Sequence, residues 1–473
     1  MHRVIIAVFL LSYSHLSFGV FQNVWKGYQS SKVNQSLEIS QKITEEEFKF
    51  QNDFNDWKFF VNPSYGESNL ASLFSFQSQS TKNKTLNFGL SKDSYKYGSF
   101  SITHSKIEYD LSDWSTTSLS SFNSETVFET KTSLNYSYDF LDRSLTSSYD
   151  LLVAQAATDS IENQINIEKS YLDFFTTYLQ AKYQVYAVDL SKSFVKEARR
   201  RVKRTKKRVR DGVSRSVDLS QARSSLLNQE ESILSARSSL KENLAILENI
   251  LGFKVTDNYF SKISWKRKTF SHWSSFISET EHLSVELAKK RVVVSDKNLE
   301  KISNQNGYKL LFSTAFSANA MNESQQESYS DHLDTKAKEL RVGLRLVIPL
   351  GLDKNSALKR RISYQNKKNE LDLANKKDDI RTRKLSLKER IKFLESTTEL
   401  ANKKVKLSKL TLSQQNKLYL RGQASFEEVI RAEEAYINAR LNEKRALLNY
   451  EVLIANYAYL NNSIKPFLNN YRD

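Results

Sequence analysis

The sequence predicts an α+β membrane protein made of two tandem repeats, each with the order helix, strand, strand, very long helix, long helix. Residues 57–140 and 307–349 alternate apolar with polar residues, which is the period of a strand with one apolar side. The region after each of them carries apolar residues at helical spacing and is divided by one glycine. Gly422 follows Gly212 by 210 positions, and strand residues align at the same offset, so we interpret the chain as an internal duplication.

The composition and the N-terminus indicate an exported protein. Residues 1–19 have a basic start, an apolar stretch and small residues at Ser17 and Gly19, the pattern of a secretory signal peptide cleaved after Gly19. The 473 residues include no Cys, which excludes disulfides, thiolate metal sites, a cysteine nucleophile and a lipid-modified N-terminal cysteine. The net charge of +17 would suit nucleic acid, but an exported protein meets no genome, so we predict no nucleic-acid partner.

The predicted organisation follows the two repeats. It comprises a first repeat (20–252), a connector (253–278), a second repeat (279–460) and a tail (461–473). Each repeat has a first helix (about 34–56 and 279–304), strands (about 57–140 and 307–349) joined by a polar loop (112–125 and 319–336), and a helical hairpin (about 144–252 and 355–460). Residues 20–35 are predicted to be a polar lead-in, the tail is predicted to be irregular, and strand-like pieces within 70–91 are not placed.

Four strands with one apolar side are predicted. This side consists of Leu134, Tyr136, Tyr138 and Phe140 in the first repeat and of Val342, Leu344, Leu346 and Ile348 in the second. No run of about 18 apolar residues follows the N-terminus, so no membrane-spanning helix is predicted there. Such strands close a barrel in lipid, and because four are too few for a pore, several chains would share one barrel. A soluble β-sandwich with helical arms is the alternative.

The helical hairpins carry long apolar stripes, which are typical of helices packed side by side. The first long helix has the stripe Leu172, Phe175, Leu179, Tyr183, Tyr186, Leu190 and Phe194. Seven-residue spacing then appears at Leu219, Leu226, Ile233, Leu240 and Leu247, and in the second repeat at Ile380, Leu387 and Leu394 and at Ala432, Ala439, Ala446, Leu453 and Leu460. This spacing predicts coiled-coil-like packing between neighbouring helices.

Each hairpin has a tight turn, in which a glycine ends one helix and a Ser or an acid starts the next. The first turn runs from Arg210 to Ala222 and the second from Leu420 to Ala432. We expect both glycines to be left-handed, and we expect two close helices to leave no room for a side chain there.

These turns, together with the strand at 342–350 and the repeated order of elements, resemble the TolC family of outer-membrane efflux proteins over nearly the whole mature chain. The resemblance implies that the turns form the periplasmic tip at which an adaptor docks. The implied docking residues are Gly212, Ser216, Leu219, Ala222, Gly422, Ser425, Val429 and Ala432.

The resemblance also implies a homotrimer in the cell outer membrane that extends into the periplasm. Each subunit would lend four strands to one transmembrane β-barrel, continuous with a long periplasmic α-helical barrel. The implied partners are a periplasmic adaptor (membrane fusion) protein, an inner-membrane pump of RND, ABC or MFS type, and outer-membrane lipid. The function would be passive conduction in tripartite efflux or type I secretion, and the alternative is a non-conducting coiled-coil scaffold or stalk. Cargo and pump class stay open.

The family's entrance gate corresponds to four positions at the two turns. Asp218 lies in the first repeat, Tyr419 and Glu428 lie in the second repeat, and we expect Asp218 to contact Tyr419 in the closed state. The family usually has a further acid where this chain has Arg431, which argues against an acidic, cation-selecting entrance.

Two further features of the sequence bear on function. Residues 199–210 include nine basic residues in twelve, which suits a docking surface for an acidic adaptor, a collar that selects anionic cargo, or a solvated helix face. The histidines of the mature chain show no metal-ligand spacing, at His104, His272, His282 and His332. No catalytic motif occurs, so we predict neither an enzyme nor a cofactor or metal site.

Overall fold

The computed structural model describes residues 20–51, 56–69, 80–94, 96–110, 126–141, 143–256, 260, 265, 267–305, 308–334, 338–348 and 353–472. These residues form two compact units. The helical unit combines the described residues up to Ile43 with Ser160–Ala288 and Leu373–Asp473, and the sheet unit combines Thr44–Asp159 with Lys289–Asp372. The predicted signal peptide at 1–19 and the first polar loop at 112–125 lie outside the described residues.

Within the described residues the chain alternates helices with strands. The first elements are α1 (Val20–Gln29), α2 (Lys32–Gln51), β1 (Trp57–Asn69), β2 (Ser80–Ser94), β3 (Gly98–Asp110), β4 (Thr126–Asp139), α3 (Ser144–Arg210) and α4 (Ser216–Leu251). The remaining elements are α5 (Phe270–Ser274), α6 (Leu283–Gln305), β5 (Lys309–Asn322), α7 (Gln325–Asp334), β6 (Lys338–Val347), α8 (Asp353–Leu420), α9 (Phe426–Leu460) and α10 (Ile464–Asn470).

The strands form one antiparallel sheet in chain order, from β1 to β6. The prediction of four strands is therefore wrong, because β1 and β2 form a further hairpin before β3. Residues 80–91, which the sequence did not place, belong to β2, whereas 70–79 lie outside the described residues. The signal for β1 is the same period of two, with Trp57 and Phe59 alternating with Lys58.

Two adjacent rows of side chains, on opposite faces of the sheet, differ sharply in polarity. One cross-strand row, in order from β1 to β6, is Phe59, Leu90, Ile102, Leu134, Phe316 and Leu340. The adjacent row on the opposite face is Lys58, Ser91, Ser101, Asn135, Ala315 and Arg341. All six residues of the apolar row are exposed to solvent in the single chain, from 37% at Ile102 to 67% at Leu340. An apolar face of this size indicates a surface that another apolar medium covers.

The second polar loop, predicted at 319–336, is wrong as a loop. β5 continues to Asn322, and α7 then packs on the sheet at β4 and β5. Ser328 Oγ is buried, 2.9 Å from Thr130 Oγ1 and 3.0 Å from the carbonyl oxygen of Ala320. These contacts give hydrogen-bond partners to polar atoms that become buried where α7 covers the sheet.

The core of the helical unit is aromatic and includes both ends of the described chain. The predicted polar lead-in is wrong, because α1 buries Phe21, Trp25 and Tyr28, which have helical spacing, against α3. The prediction of an irregular tail is also wrong, because α10 follows α9 after a short turn. Gln22 Nε2 donates to the carbonyl oxygen of Tyr471 at 2.8 Å, which ties α1 to the residue after α10.

The long helices match their predicted bounds closely. α3 has 67 residues and α8 has 68, so each is about 100 Å long at 1.5 Å per residue. The α3 stripe is buried at Phe175, Leu179, Tyr183, Leu190 and Phe194. The seven-residue positions that are buried are Leu240 and Leu247 in α4, Ile380 in α8, and Ala432, Ala439 and Leu460 in α9. None of the described helices has the length and apolar character needed to cross a membrane.

Candidate functional site

The first hairpin turn joins α3 to α4 through a left-handed glycine. Gly212 has φ 73°. Its N–H donates to the carbonyl oxygen of Val209 at 3.1 Å, and the N–H of Val213 donates to that of Arg208 at 2.8 Å. This pair of bonds is the Schellman motif, which satisfies carbonyls that the end of a helix leaves without partners.

The second turn, between α8 and α9, repeats this backbone arrangement. Gly422 has φ 74°, and its N–H donates to the carbonyl oxygen of Tyr419 at 3.1 Å. The N–H of Gln423 donates to the carbonyl oxygen of Leu418 at 2.9 Å. Every donor and acceptor lies 210 positions after its counterpart in the first turn, so the two hairpins end in the same way.

The reason for glycine is conformational and not steric. A Cβ built on Gly212 or on Gly422 would meet no other atom within 4 Å. The expectation that close helices exclude a side chain is therefore wrong, whereas the left-handed conformation is confirmed. Because L residues disfavour this φ, glycine is the residue that ends both helices without strain.

The helix that follows each turn begins with a hydrogen-bonded cap, and the two caps differ. At the start of α9, Ser425 Oγ accepts the N–H of Glu428 at 3.2 Å, and Glu428 Oε2 accepts the N–H of Ser425 at 2.7 Å. This reciprocal capping box satisfies two free donors of the first helical turn. At the start of α4, Asp218 Oδ2 accepts the N–H of Arg215 at 3.3 Å, but an arginine side chain carries only donors and cannot accept in return.

The predicted gate residues therefore have defined partners within the chain. Asp218 and Glu428 each accept the N–H of a helix start, as described above. Arg431 is exposed and pairs with Glu427 one helical turn earlier, an ordinary surface contact. Two of the three predicted gate charges, Asp218 and Glu428, are therefore side chains that also cap the start of a helix.

Tyr419 joins the first hairpin to the second. Its ring lies 4.8 Å from the guanidinium of Arg208 and 5.4 Å from the ring of Phe426. Its hydroxyl oxygen lies 3.4 Å from Ser214 Oγ. Within this chain Tyr419 and Asp218 have separate partners, so the contact expected between them stays a prediction.

The predicted docking residues divide into exposed and buried ones. Gly212, Ser216, Gly422 and Ser425 are exposed, Leu219 is half-buried, and Ala222, Val429 and Ala432 are buried. The buried three pack inside the chain, so their side chains do not form part of the exposed surface of the turns. The sequence reasoning missed three exposed apolar residues there, at Val213, Val217 and Leu420. Their signal was an apolar residue at or beside a polar turn.

The basic run at 199–210 is not a uniform surface. Arg201 is buried and pairs with Glu433 of α9, and Arg208 lies on the ring of Tyr419. Arg199 is exposed and its guanidinium lies 2.8 Å from a carboxylate oxygen of Glu230 in α4. The run therefore combines contacts between the hairpins with an exposed basic face. Within the described residues, no group of three or more His, Asp or Glu side chains could hold a metal ion.

A known protein family matches the part of the chain that contains the first turn. Residues 108–253 match the family described as outer membrane efflux protein. This stretch includes β4, α3, the first turn and α4. No curated protein matches the chain.

Solved outer-membrane channels share the fold. The chain is similar to the Campylobacter jejuni CmeC outer membrane channel, with a TM-score of 0.69 and 10% identity over 96% of this chain and 86% of that one. It is similar to the outer membrane protein VceC from Vibrio cholerae, with a TM-score of 0.64 and 13% identity over 95% of both chains. It is also similar to the Neisseria gonorrhoeae MtrE outer membrane channel in its open state, with a TM-score of 0.66 and 10% identity over 94% and 90%.

At these identities the solved structures establish the fold alone, and the family match adds the sequence evidence over the first hairpin. The resemblance to the TolC family of outer-membrane efflux proteins is thereby confirmed as a resemblance: residues 108–253 match the family described as outer membrane efflux protein, and the chain is similar in fold to these channels along nearly its full length.

Proposed function

We propose that this chain is one subunit of a homotrimeric outer-membrane channel, which passively conducts substrates delivered by an inner-membrane pump. The observation that carries the proposal is the apolar face that runs across the sheet from β1 to β6. Water makes such a face unfavourable, and the hydrocarbon core of a bilayer makes it favourable. The opposite face is polar and suits the lining of an aqueous channel.

The sheet of a single chain is open, with β1 and β6 at its edges. Lipid does not tolerate open edges, because their N–H and C=O groups find no partners there. Pairing of β6 with β1 of a neighbouring copy would close the sheet. Three copies of six strands would supply eighteen, a number that leaves an aqueous channel in single-chain barrels.

The helical unit also has an apolar surface that a single chain leaves uncovered. Along α8 an exposed apolar stripe at spacings of seven or eight residues consists of Leu385, Phe393, Leu400 and Leu407. Each of these side chains is 59–69% exposed. Such a stripe suits the side-by-side packing of helices from sister subunits, and this is how we infer that a periplasmic tube assembles.

In this arrangement the energy for transport comes from the pump, of RND, ABC or MFS type. An adaptor protein would dock on the exposed residues of the two turns and open the entrance by shifting helix ends. Residues 1–19 would direct export and be removed.

The proposal can be tested by purifying the protein in detergent, measuring its mass and recording conductance in planar bilayers. We expect trimers with uniform conductance steps. Leu400→Glu and Leu407→Glu should disrupt trimers because each places a charge in the apolar stripe, whereas Lys404→Glu on an exposed position of α8 should not. A monomer that needs no detergent would refute the proposal, and silent trimers would favour a non-conducting scaffold.

A further inference from the structure

One buried ion pair connects the two hairpins at the same distance from their turns. Arg201 lies in α3, eleven residues before Gly212, and Glu433 lies in α9, eleven residues after Gly422. At 1.5 Å per residue both are about 16 Å from the glycine of their own turn. Their positions mirror each other, because Arg201 lies in the helix that leads into the first turn and Glu433 lies in the helix that leads out of the second.

The pair is buried and incompletely satisfied. The side chain of Arg201 is 10% exposed and that of Glu433 is 2% exposed. Arg201 Nη2 donates to Glu433 Oε1. Arg201 Nη1 and Glu433 Oε2 are buried as well, and neither has a hydrogen-bond partner among the described residues. Buried polar atoms are usually satisfied, so an orphaned donor and acceptor in one pair call for an explanation.

Other contacts join the two hairpins farther from the turns and nearer to them than the ion pair does. Farther from the turns, α3 and α9 are joined by the rings of Phe194 and Tyr436, 6.0 Å apart, and by a 3.0 Å hydrogen bond from Arg440 Nε to the hydroxyl of Tyr186. Of the hydrogen bonds, ion pairs and ring contacts described between α3 and α9, the Arg201–Glu433 pair lies nearest the turns. Nearer the turns, the described polar and ring contacts between the hairpins are those of the partly exposed Tyr419 with Arg208 and Ser214.

The single hydrogen bond also leaves a second arrangement available. A guanidinium and a carboxylate form two parallel bonds when their planes align, and this bidentate form would satisfy both orphaned atoms. A small sliding or rotation of α3 against α9 is what would separate the two arrangements. A packed interface that has two discrete arrangements is the kind of element that can couple a shift at one end to a change elsewhere.

We propose that Arg201 and Glu433 are positioning residues that hold the first hairpin against the second about 16 Å from the two turns. The pair sets how readily the entrance opens in the absence of a pump. The inference rests on the proposed channel function, and it concerns a buried pair that is not among the predicted gate residues, with Glu433 two residues after Arg431 in α9. Losing one partner leaves a buried charge unpaired, which costs far more than the pair itself contributes.

The test compares open probability in planar bilayers for Arg201→Met, Glu433→Gln and the double variant Arg201→Met/Glu433→Leu. Each single variant should raise the open probability about fivefold or more, which is the range of typical coupling between sites, with the open-state conductance unchanged. The double variant should return toward wild type, because no buried charge is left unpaired. Arg199→Met is the matched control. It removes the same charge two residues before Arg201, and the ion pair that it breaks, with Glu230, joins the two helices of a single hairpin.

The outcomes separate the inference from the function beneath it. If Arg201→Met and Glu433→Gln assemble as trimers and open no more often than Arg199→Met, the inference is overturned while the channel function stands. If wild-type trimers never conduct, the proposed function fails first. If Arg201→Met does not assemble, Glu433→Gln decides, because it keeps the size of the side chain and an acceptor for Arg201.

Discussion

Glu428 has two roles in the second turn that can be separated by experiment. Its carboxylate accepts the N–H of Ser425 at 2.7 Å and closes the capping box of α9. By position it is also a predicted gate charge. A glutamine at this place keeps an acceptor oxygen and can close the same box, whereas an alanine cannot.

Glu428→Ala should destabilise the first turn of α9 by about 1 kcal/mol, the typical cost of losing a cap. Glu428→Gln should cost only the interaction of the charge with the helix N-terminus, about 0.3–1 kcal/mol at an exposed site. Hydrogen exchange measured by mass spectrometry on the peptide at the start of α9 reports these opening free energies. We expect about fivefold faster exchange in Glu428→Ala and a smaller increase in Glu428→Gln, since about 1.4 kcal/mol corresponds to tenfold.

Ion selectivity should not separate the two variants, because both remove the same charge. In planar bilayers both should shift the reversal potential under a salt gradient equally, away from cation preference. Glu427→Gln is the control, because the carboxylate of Glu427 pairs with Arg431 and takes no part in the capping box. Equal exchange in Glu428→Ala and Glu428→Gln would refute the capping role. An unchanged reversal potential in both would refute the gate role.

Two further perturbations follow from the described contacts. Gly212→Ala and Gly422→Ala should each destabilise the turn by about 1–2 kcal/mol, because only the left-handed φ opposes a side chain there. Replacement by Asn should cost less, since Asn adopts this conformation more readily, and hydrogen exchange at the turns measures both effects. Burial, reinforced by Lys384 and Lys376, lowers the pKa of His282 to about 4. An unfolded histidine titrates near pH 6.5, so folding stability should fall as the pH drops from about 6.5 to about 4, by up to about 3 kcal/mol. His282→Asn, whose amide oxygen can accept the N–H of Ser284 as Nδ1 does at 3.1 Å, should weaken this pH dependence of the melting temperature, and an unchanged dependence would contradict it.

The long helices could be predicted from the sequence because their signal accumulates over many turns. α3 repeats its apolar stripe along 67 residues, and α3 and α4 are divided by a glycine whose conformation is a local property of the backbone. The Schellman bonds need only residues within one turn of Gly212. Local chemistry therefore sufficed for the hairpins and for both turns.

The short elements could not be predicted in the same way. α1 and α7 have ten residues each and α10 has seven, too few for a helical period to stand out. Such helices are marginal alone and are stabilised by contacts with distant residues. The stacking of Tyr28 on Phe174, with ring centroids 4.4 Å apart, belongs to this class.

The partners of the site residues were beyond the sequence for a related reason. Arg201 and Glu433 are separated by 232 positions, and their contact depends on how two hairpins are placed side by side. In the sequence Arg201 looks like one of nine basic residues, all equally suited to a solvated face. Only burial distinguishes it from Arg199, which is exposed and pairs within its own hairpin.

The two turns have the same backbone arrangement and differ in how firmly they cap the next helix, and this difference predicts which helix start opens more readily. The second turn has the complete capping box of Ser425 and Glu428, whereas the first has only the acceptor of Asp218. A missing cap acceptor costs a helix start about 1 kcal/mol, so α4 begins less firmly than α9. Since the two Schellman turns have the same backbone hydrogen bonds, we expect this difference in capping to let the start of α4 open at a lower free energy than the start of α9.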